Sequence, residues 1–374
     1  MAIDSSPEKL ADEAQVFIPE EWEEAAEVVA YDSITCPPPI CVICGPPNSG
    51  KTTFSRHLLN VLIQRYRRVA YLDTDVGQAE FTPPGCLSLT LADKITPDLA
   101  IPCLKTPERC FFFGDISPRK DPQTYLKYIH ELYDHYHQII RGEHLKIGVP
   151  LVVNTPGWVE GYGLNLLMNM LKHIAPTQVI KVHLPTESKN LPTGAFWLPD
   201  PASHNVTLID INSNRQDSSK KSVQSQDDAR LLRDLRLLAY FRKCFPINMS
   251  LTTIQELDHA LALHAPYEIL MSSVTIKQLH SQDMEAFYKS NCSIVALADS
   301  SLSSQNSPCC VGLGIVTEVD MSRKIMCLIT PVPEHILEKV DILLHGLIKI
   351  PACLIEVQRH KTSSSVPFNK INID

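Results

Sequence analysis

The sequence predicts an α/β fold, a parallel sheet with helices on both faces, joined to a smaller β-rich C-terminal domain. Three observations carry that prediction. Short apolar runs alternate with helix-length amphipathic stretches from Cys41 to Phe241, the rhythm of β-α units. The first of these runs breaks into a glycine-bounded turn and then a helix. Beyond Pro246 the rhythm is lost and short β-like runs replace it.

The turn is Gly45-Pro46-Pro47-Asn48-Ser49-Gly50-Lys51-Thr52, with Thr53 opening the helix that runs to Tyr66. It fits G-x-x-x-x-G-K-[ST], the spacing at which backbone N–H groups cradle phosphate oxygens, so the first domain is P-loop NTPase-type. Gly45 to Thr53 are therefore the expected nucleotide-binding residues. The helix N-terminus faces the same anion, Lys51 reaches the β- and γ-phosphates, and the Thr52 hydroxyl holds Mg²⁺. Ahead of this loop, residues 1–36 form an extension with one helix from Pro19 to Ala26, and Trp22 is an anchor rather than a site. The domain itself is expected over 37–244. Its later strands are Arg68–Leu72, Cys110–Phe113, Pro150–Val153, Val179–Val182 and Val206–Ile209, with helices at Pro122–Ile140 and Asn165–Ile174. Polar residues Ser213–Asp228 read as a mobile loop, followed by a helix from Ala229 that Pro246 closes. Residues 245–374 are the β-rich domain, with strands expected at Ser293–Leu297, Gly312–Val316 and Lys324–Ile329.

Composition narrows the function. A formal net charge of -8 excludes a generic basic coating for nucleic acid, so any polyanion must meet a local cluster. No apolar run reaches the roughly 20 residues that a membrane helix needs. The acidic start is no signal peptide, and a soluble, intracellular chain without membrane association is expected. The 12 cysteines are scattered, mostly within apolar runs, as reduced buried thiols are. Cys41 and Cys44 form a C-x-x-C inside a strand, with no second pair at zinc spacing, and read as structural.

In strand-helix sheets ligands bind where strands end, and the loops beginning at Gly45, Asp73 and Asn154 should converge there. Of Asp73 and Asp75, one should hold the Mg²⁺ shell and the other act on the group attacking the γ-phosphate. At i and i+2 on extended backbone they point to opposite faces and cannot share one role. Trp158, in the loop after Asn154-Thr155-Pro156-Gly157, is either a hinge-packing residue or a stacking platform for a base. Arg230, Arg233 and Arg236 recur along one side of their helix. They are either a solvated basic stripe or a lid that neutralises charge on a transferring phosphoryl group.

Taken together, GPPNSGKTT, YLDTDVGQAEF, FFGDISPRKDP, NTPGWVEGYG and ARLLRDLRLLAYF resemble the polyribonucleotide 5′-hydroxyl kinases of RNA processing, in particular their nucleolar protein nine branch. The likeness covers Cys41 to Cys244. It implies transfer of the ATP γ-phosphate to the 5′-hydroxyl end of RNA, ATP and Mg²⁺ as cofactors, and an endonuclease partner acting on the internal transcribed spacer of pre-ribosomal RNA. It also implies a nuclear, nucleolar location. By position it makes Lys51 and Thr52 the phosphate and Mg²⁺ ligands, and Asp75 the acid that takes the hydroxyl proton. Asp73 would assist metal-bound water. Gln78 and Thr155, Pro156, Gly157 and Trp158 would grip the substrate, while Arg230, Arg233 and Arg236 form the lid. That branch often carries a separate β-rich domain ahead of the phosphate loop, whereas residues 1–44 precede it here. RNA contacts made by such a domain are expected to be missing or to come from a partner.

Three other readings compete. A GTPase switch is similar at Asn154–Gly157, but Asn replaces its metal-directed Asp, and Asn369-Lys370-Ile371-Asn372 does not complete N-K-x-D. An ATP-binding scaffold that catalyses nothing would not need the full set of transfer residues. A small-molecule kinase would suit a more enclosed acceptor site than the Trp158 loop.

Overall fold

The computed structural model describes residues 17–32, 37–96, 103–142, 148–200, 205–214, 222–280, 292–302 and 307–359. By contact density the chain divides into two compact units, one of 1–75, 88–108 and 129–220, the other of 76–87, 109–128 and 221–374. In chain order the first elements are α1 (Glu20–Asp32), β1 (Ile40–Cys44), α2 (Lys51–Ile63), β2 (Val69–Asp73), β3 (Cys86–Ala92) and β4 (Arg109–Phe112). They are followed by α3 (Pro122–Gly142), β5 (Leu151–Asn154), α4 (Gly161–Ile174), β6 (Gln178–His183) and β7 (Thr207–Asn212).

The strands lie in the order β4-β3-β2-β5-β1-β6-β7. Strands β2, β5, β1, β6 and β7 pair in parallel, and β2 and β5 are buried along their whole length. Burial of both faces is what removes polar alternation from parallel strands and leaves runs such as VAYLD and LVVN. On α2, Phe54, Leu58 and Leu62 repeat every four residues and are buried, which packs this helix by one apolar stripe. The register sets Ile43 beside Asn154 and Asn154 beside Asp73, so the loops leaving β1, β5 and β2 emerge side by side.

One expectation needs correction. The sheet is mixed, because β3 runs antiparallel to β2 with Asp73 opposite Ser88. A parallel return would need a crossover, usually a helix. The connection over 74–85 holds no helix and turns back at Gly85, whose N–H bonds to the Val76 carbonyl at 2.8 Å.

The later elements are α5 (Ser222–Arg242), α6 (Ile254–Ala262), β8 (Tyr267–Leu270), β9 (Thr275–Gln278), β10 (Ser293–Asp299) and β11 (Cys309–Asp320). β12 (Ile325–Ile329), α7 (Glu334–Leu337), β13 (Ile342–His345) and α8 (Ile355–Arg359) follow among the described residues. Here too the structure departs from expectation. α5 begins at Ser222, so the second half of the stretch read as a mobile loop is helical; residues 215–221 lie outside the described residues. No Gly or Pro interrupts 215–228, and nothing in that polar run stops a helix from extending backwards.

The second sheet runs β8-β12-β11-β10-β13-β9, antiparallel except for β13 with β9. Its central strand β10 is buried at every residue. Ile294, Ala296 and Ala298 face a core shared with Leu237 and Phe241 of α5 and Leu257 and Leu261 of α6. Val295 and Leu297 face the opposite core with Val316, Leu328 and Leu343. The period-2 alternation of a strand thus serves two apolar layers at once. Among the described residues no helix is long and apolar enough to cross a membrane.

Candidate active site

The phosphate loop folds because its glycines sit where no side chain could. A Cβ at Gly45 would meet the Val182 carbonyl, and Gly50, at φ 98°, holds the left-handed conformation that turns the chain into α2. Asn48, at φ 59°, is of the type that tolerates the same region. The Ser49 hydroxyl is buried with no hydrogen-bond partner among the described residues, as suits a loop whose polar groups await an anion. Lys51 is 6% exposed, and its Nζ donates to the Pro46 carbonyl at 2.6 Å. Burial pushes its pKa down to about 8, against the opposing pull of the Asp75 carboxylate and the Cys44 thiol.

Beside the loop, the ends of β2 and β5 are tied together. The Thr74 hydroxyl donates to the Asn154 carbonyl at 2.7 Å. Asp73, fully buried, accepts at Oδ1 from the Asp75 N–H and from Asn154 Nδ2, each at 3.2 Å. An acid at 154 would set a second carboxylate where this amide donates, so the site is built for Asn. Asp75 is only half-buried and lies within electrostatic reach of Lys51. The two carboxyls therefore have different surroundings, as expected.

The loop after β5 is fixed from both sides. Thr155, fully buried, donates its hydroxyl to the Ile43 carbonyl at 2.8 Å, binding the loop to β1. Pro156 is buried, and a Cβ on Gly157 would lie 2.5 Å from the Pro47 backbone, so this loop rests directly on the phosphate loop. Trp158 is half-buried, its side chain packed on Gly163 in the first turn of α4. The phosphate loop, Asp73, Asp75 and Thr155–Trp158 thus lie together at the carboxyl ends of the neighbouring strands β1, β2 and β5.

In the other unit, Gln78 spans two turns of α5. Its Nε2 donates to the Ala229 carbonyl at 2.9 Å, and its Oε1 accepts from Arg236 Nη1 at 3.0 Å. Arg236 also pairs with buried Glu80 at 3.5 Å. A step of three residues falls about 60° short of a full turn, so the arginines drift around the helix. Arg230 is exposed, Arg233 half-buried and Arg236 buried. Glu80 is a residue that sequence reasoning missed; its signal was an acid two residues beyond Gln78.

The thiols Cys41 and Cys44 are fully buried, and burial pushes Cys44 up to about 12 and Cys41 higher still, which fits the structural role expected of them. The Thr52 hydroxyl and Asp73 carboxylate offer hard oxygen donors. No group of three or more His, Cys, Asp or Glu among the described residues forms a metal cage. A hydroxyl and a carboxylate are donors of the type Mg²⁺ takes, with water and nucleotide phosphate as its other ligands.

Comparison with known proteins agrees with this architecture. Residues 45–243 match the family described as mRNA cleavage and polyadenylation factor CLP1 P-loop. Residues 262–351 match the NOL9-like C-terminal domain. Over 362 residues the chain is 49% identical to the polynucleotide 5′-hydroxyl-kinase NOL9 of Arabidopsis thaliana, covering 96% of each. The chain belongs to the polynucleotide 5′-hydroxyl-kinase family. Against the NOL9 relative of Danio rerio it is 31% identical over 88% of its own length and 48% of that protein, so the chain spans about half of some family members. A solved Clp1p–Pcf11p structure shares the fold, with TM-score 0.65 at 17% identity, over 88% of this chain and 79% of that one. The CLP1 P-loop match begins at Gly45, after α1, whereas the match to the Arabidopsis relative spans 96% of the chain.

Proposed function

We propose that this chain is an ATP-dependent kinase that transfers the γ-phosphoryl group to the 5′-hydroxyl end of RNA. The observation that carries the reading is the convergence of three loops. The phosphate loop, the Asp73–Asp75 strand end and the Thr155–Trp158 loop lie side by side at the carboxyl ends of β1, β2 and β5, with Gly157 seated on Pro47 and Asp75 in the field of Lys51.

In this reading the phosphate loop and Lys51 hold the ATP phosphates. Thr52 and Asp73 would hold Mg²⁺, which when bound neutralises charge on the β- and γ-phosphate oxygens. Asp75 accepts the proton of the RNA 5′-hydroxyl as its oxygen bonds to the γ-phosphorus and the bond to the β-bridging oxygen breaks, releasing ADP. Thr155–Trp158 orient the RNA end, with the indole as a surface for its terminal base. Gln78 and Arg236 hold α5 within its own unit, and by the family resemblance Arg230 and Arg233 are its lid arginines. The wider role follows the family resemblance: processing of pre-ribosomal RNA at an internal transcribed spacer, beside an endonuclease, in the nucleolus.

The test is direct. Purified protein with γ-labelled ATP should label 5′-hydroxyl RNA, and Lys51→Ala should abolish the label. A panel of RNA, DNA and free nucleosides separates a polymer kinase from a small-molecule one. Equal rescue of cells by wild type and Asp75→Asn would instead support a scaffold that binds ATP without catalysis, and preference for GTP would support a switch.

A further inference from the structure

Helix α1 precedes the residues that match the CLP1 P-loop model, and it touches the phosphate loop at its most constrained residue. Trp22 is 2% exposed, and a Cβ on Gly50 would lie 2.6 Å from its Cη2 and 3.2 Å from its Cζ2. The indole also meets Phe54 edge to face, with ring centroids 5.6 Å apart. Phe54 N–H in turn bonds to the Gly50 carbonyl at 2.9 Å, so one side chain covers both ends of the first turn of α2. On its far side, Trp22 Nε1 donates to the Asn212 carbonyl at the end of β7, at 2.8 Å. Glu21 accepts from the Asn212 N–H at 3.1 Å and Nδ2 at 3.2 Å, which fixes the helix end that presents Trp22. Further along α1, Glu27 pairs with Arg65, just beyond the end of α2.

From this geometry we infer that Trp22 is a positioning residue for nucleotide binding, a brace that holds Gly50 left-handed so that the N–H groups opening α2 point at the phosphates. Glycine is the residue with most freedom to leave such a conformation. The indole occupies the space into which Gly50 would move, and its hydrogen bond to β7 fixes its own orientation. The loop is thereby organised before the ligand arrives, which lowers the ordering cost of binding. The inference rests on the nucleotide reading of the phosphate loop.

Calorimetric titration of the full chain with ATP and Mg²⁺ tests both in separable steps. Wild type that binds no nucleotide overturns the nucleotide reading, and the brace with it. Given wild-type binding, Trp22→Ala should weaken ATP by about tenfold or more at temperatures where circular dichroism shows it folded, and Trp22→Phe should restore most of that loss. Folded Trp22→Ala that binds ATP as wild type does would overturn the brace, since a purely structural role lowers the melting temperature without moving affinity. Should Trp22→Ala not fold, the milder Trp22→Leu is titrated in its place: folded protein with ATP affinity lowered severalfold supports the brace, and wild-type affinity overturns it.

Discussion

Lys51 stands between two opposed influences, burial that lowers its pKa to about 8 and the Asp75 carboxylate that raises it. Between about 8 and the ordinary lysine value of 10.5, the unfolded chain holds more protons than the folded one. From this group, stability therefore rises with pH through that window, while the charge needed for phosphate is lost. ATP affinity measured against pH should be flat below about pH 8 and then fall, by up to about tenfold per unit, until the pKa of the complex is passed. A flat profile to pH 10 would show that Lys51 is not the group that titrates. At the neighbouring carboxyls, Asp75→Asn should cut turnover by about 10²- to 10⁴-fold with ATP binding retained, the loss of a general base. Asn154→Asp replaces an amide that donates to Asp73 with a like charge, and chemical denaturation should show a loss of about 1–3 kcal/mol. The phosphate loop was legible because its signal is local. The tie between Asn154 and Asp73 was not, because it joins residues distant in the chain whose pairing only the sheet register creates.

Among the elements, α5 is held by a buried ion pair rather than by its arginine stripe as a whole. Arg236 and Glu80 have side chains 8% and 2% exposed. Removing one partner leaves the other charge buried, so Arg236→Ala or Glu80→Ala should each lose about 3–5 kcal/mol in urea unfolding. The double change should lose less than the sum of the two, and additive losses would mean that the pair does not interact. Element type was legible wherever an apolar period was long, as on α3 and α4. It failed at β3, whose alternation in CLSLTLA follows Pro83-Pro84-Gly85 and was passed over for the helix-rich pattern around it. It also failed at the start of α5, where polarity was taken for disorder although no helix breaker was present. The three arginines were legible as a group, but their differing burial depends on which face of α5 packs, which spacing alone does not reveal.

On the scale of the whole chain, segments far apart in sequence build one core. Cys86, Cys110 and Phe112 pack in a single cluster with Leu237, Phe241, Ile294, Ile315 and Leu354. A chain ending at residue 244 keeps the phosphate loop but strips this cluster of its sheet. It should be aggregated or lack a cooperative thermal transition by circular dichroism, and a monomeric, cooperatively melting 1–244 fragment would contradict this account of the core. The β-rich character of the C-terminal part was legible from its three longer strands. The short strands β8, β9 and β13 were not, since four residues carry too little periodicity to stand out. Two copies of the same RNA, one ending in a 5′-hydroxyl and one in a 5′-phosphate, are incubated with the protein and γ-labelled ATP. Label on the hydroxyl end alone is the predicted result; label on neither, with only inorganic phosphate released, would contradict it.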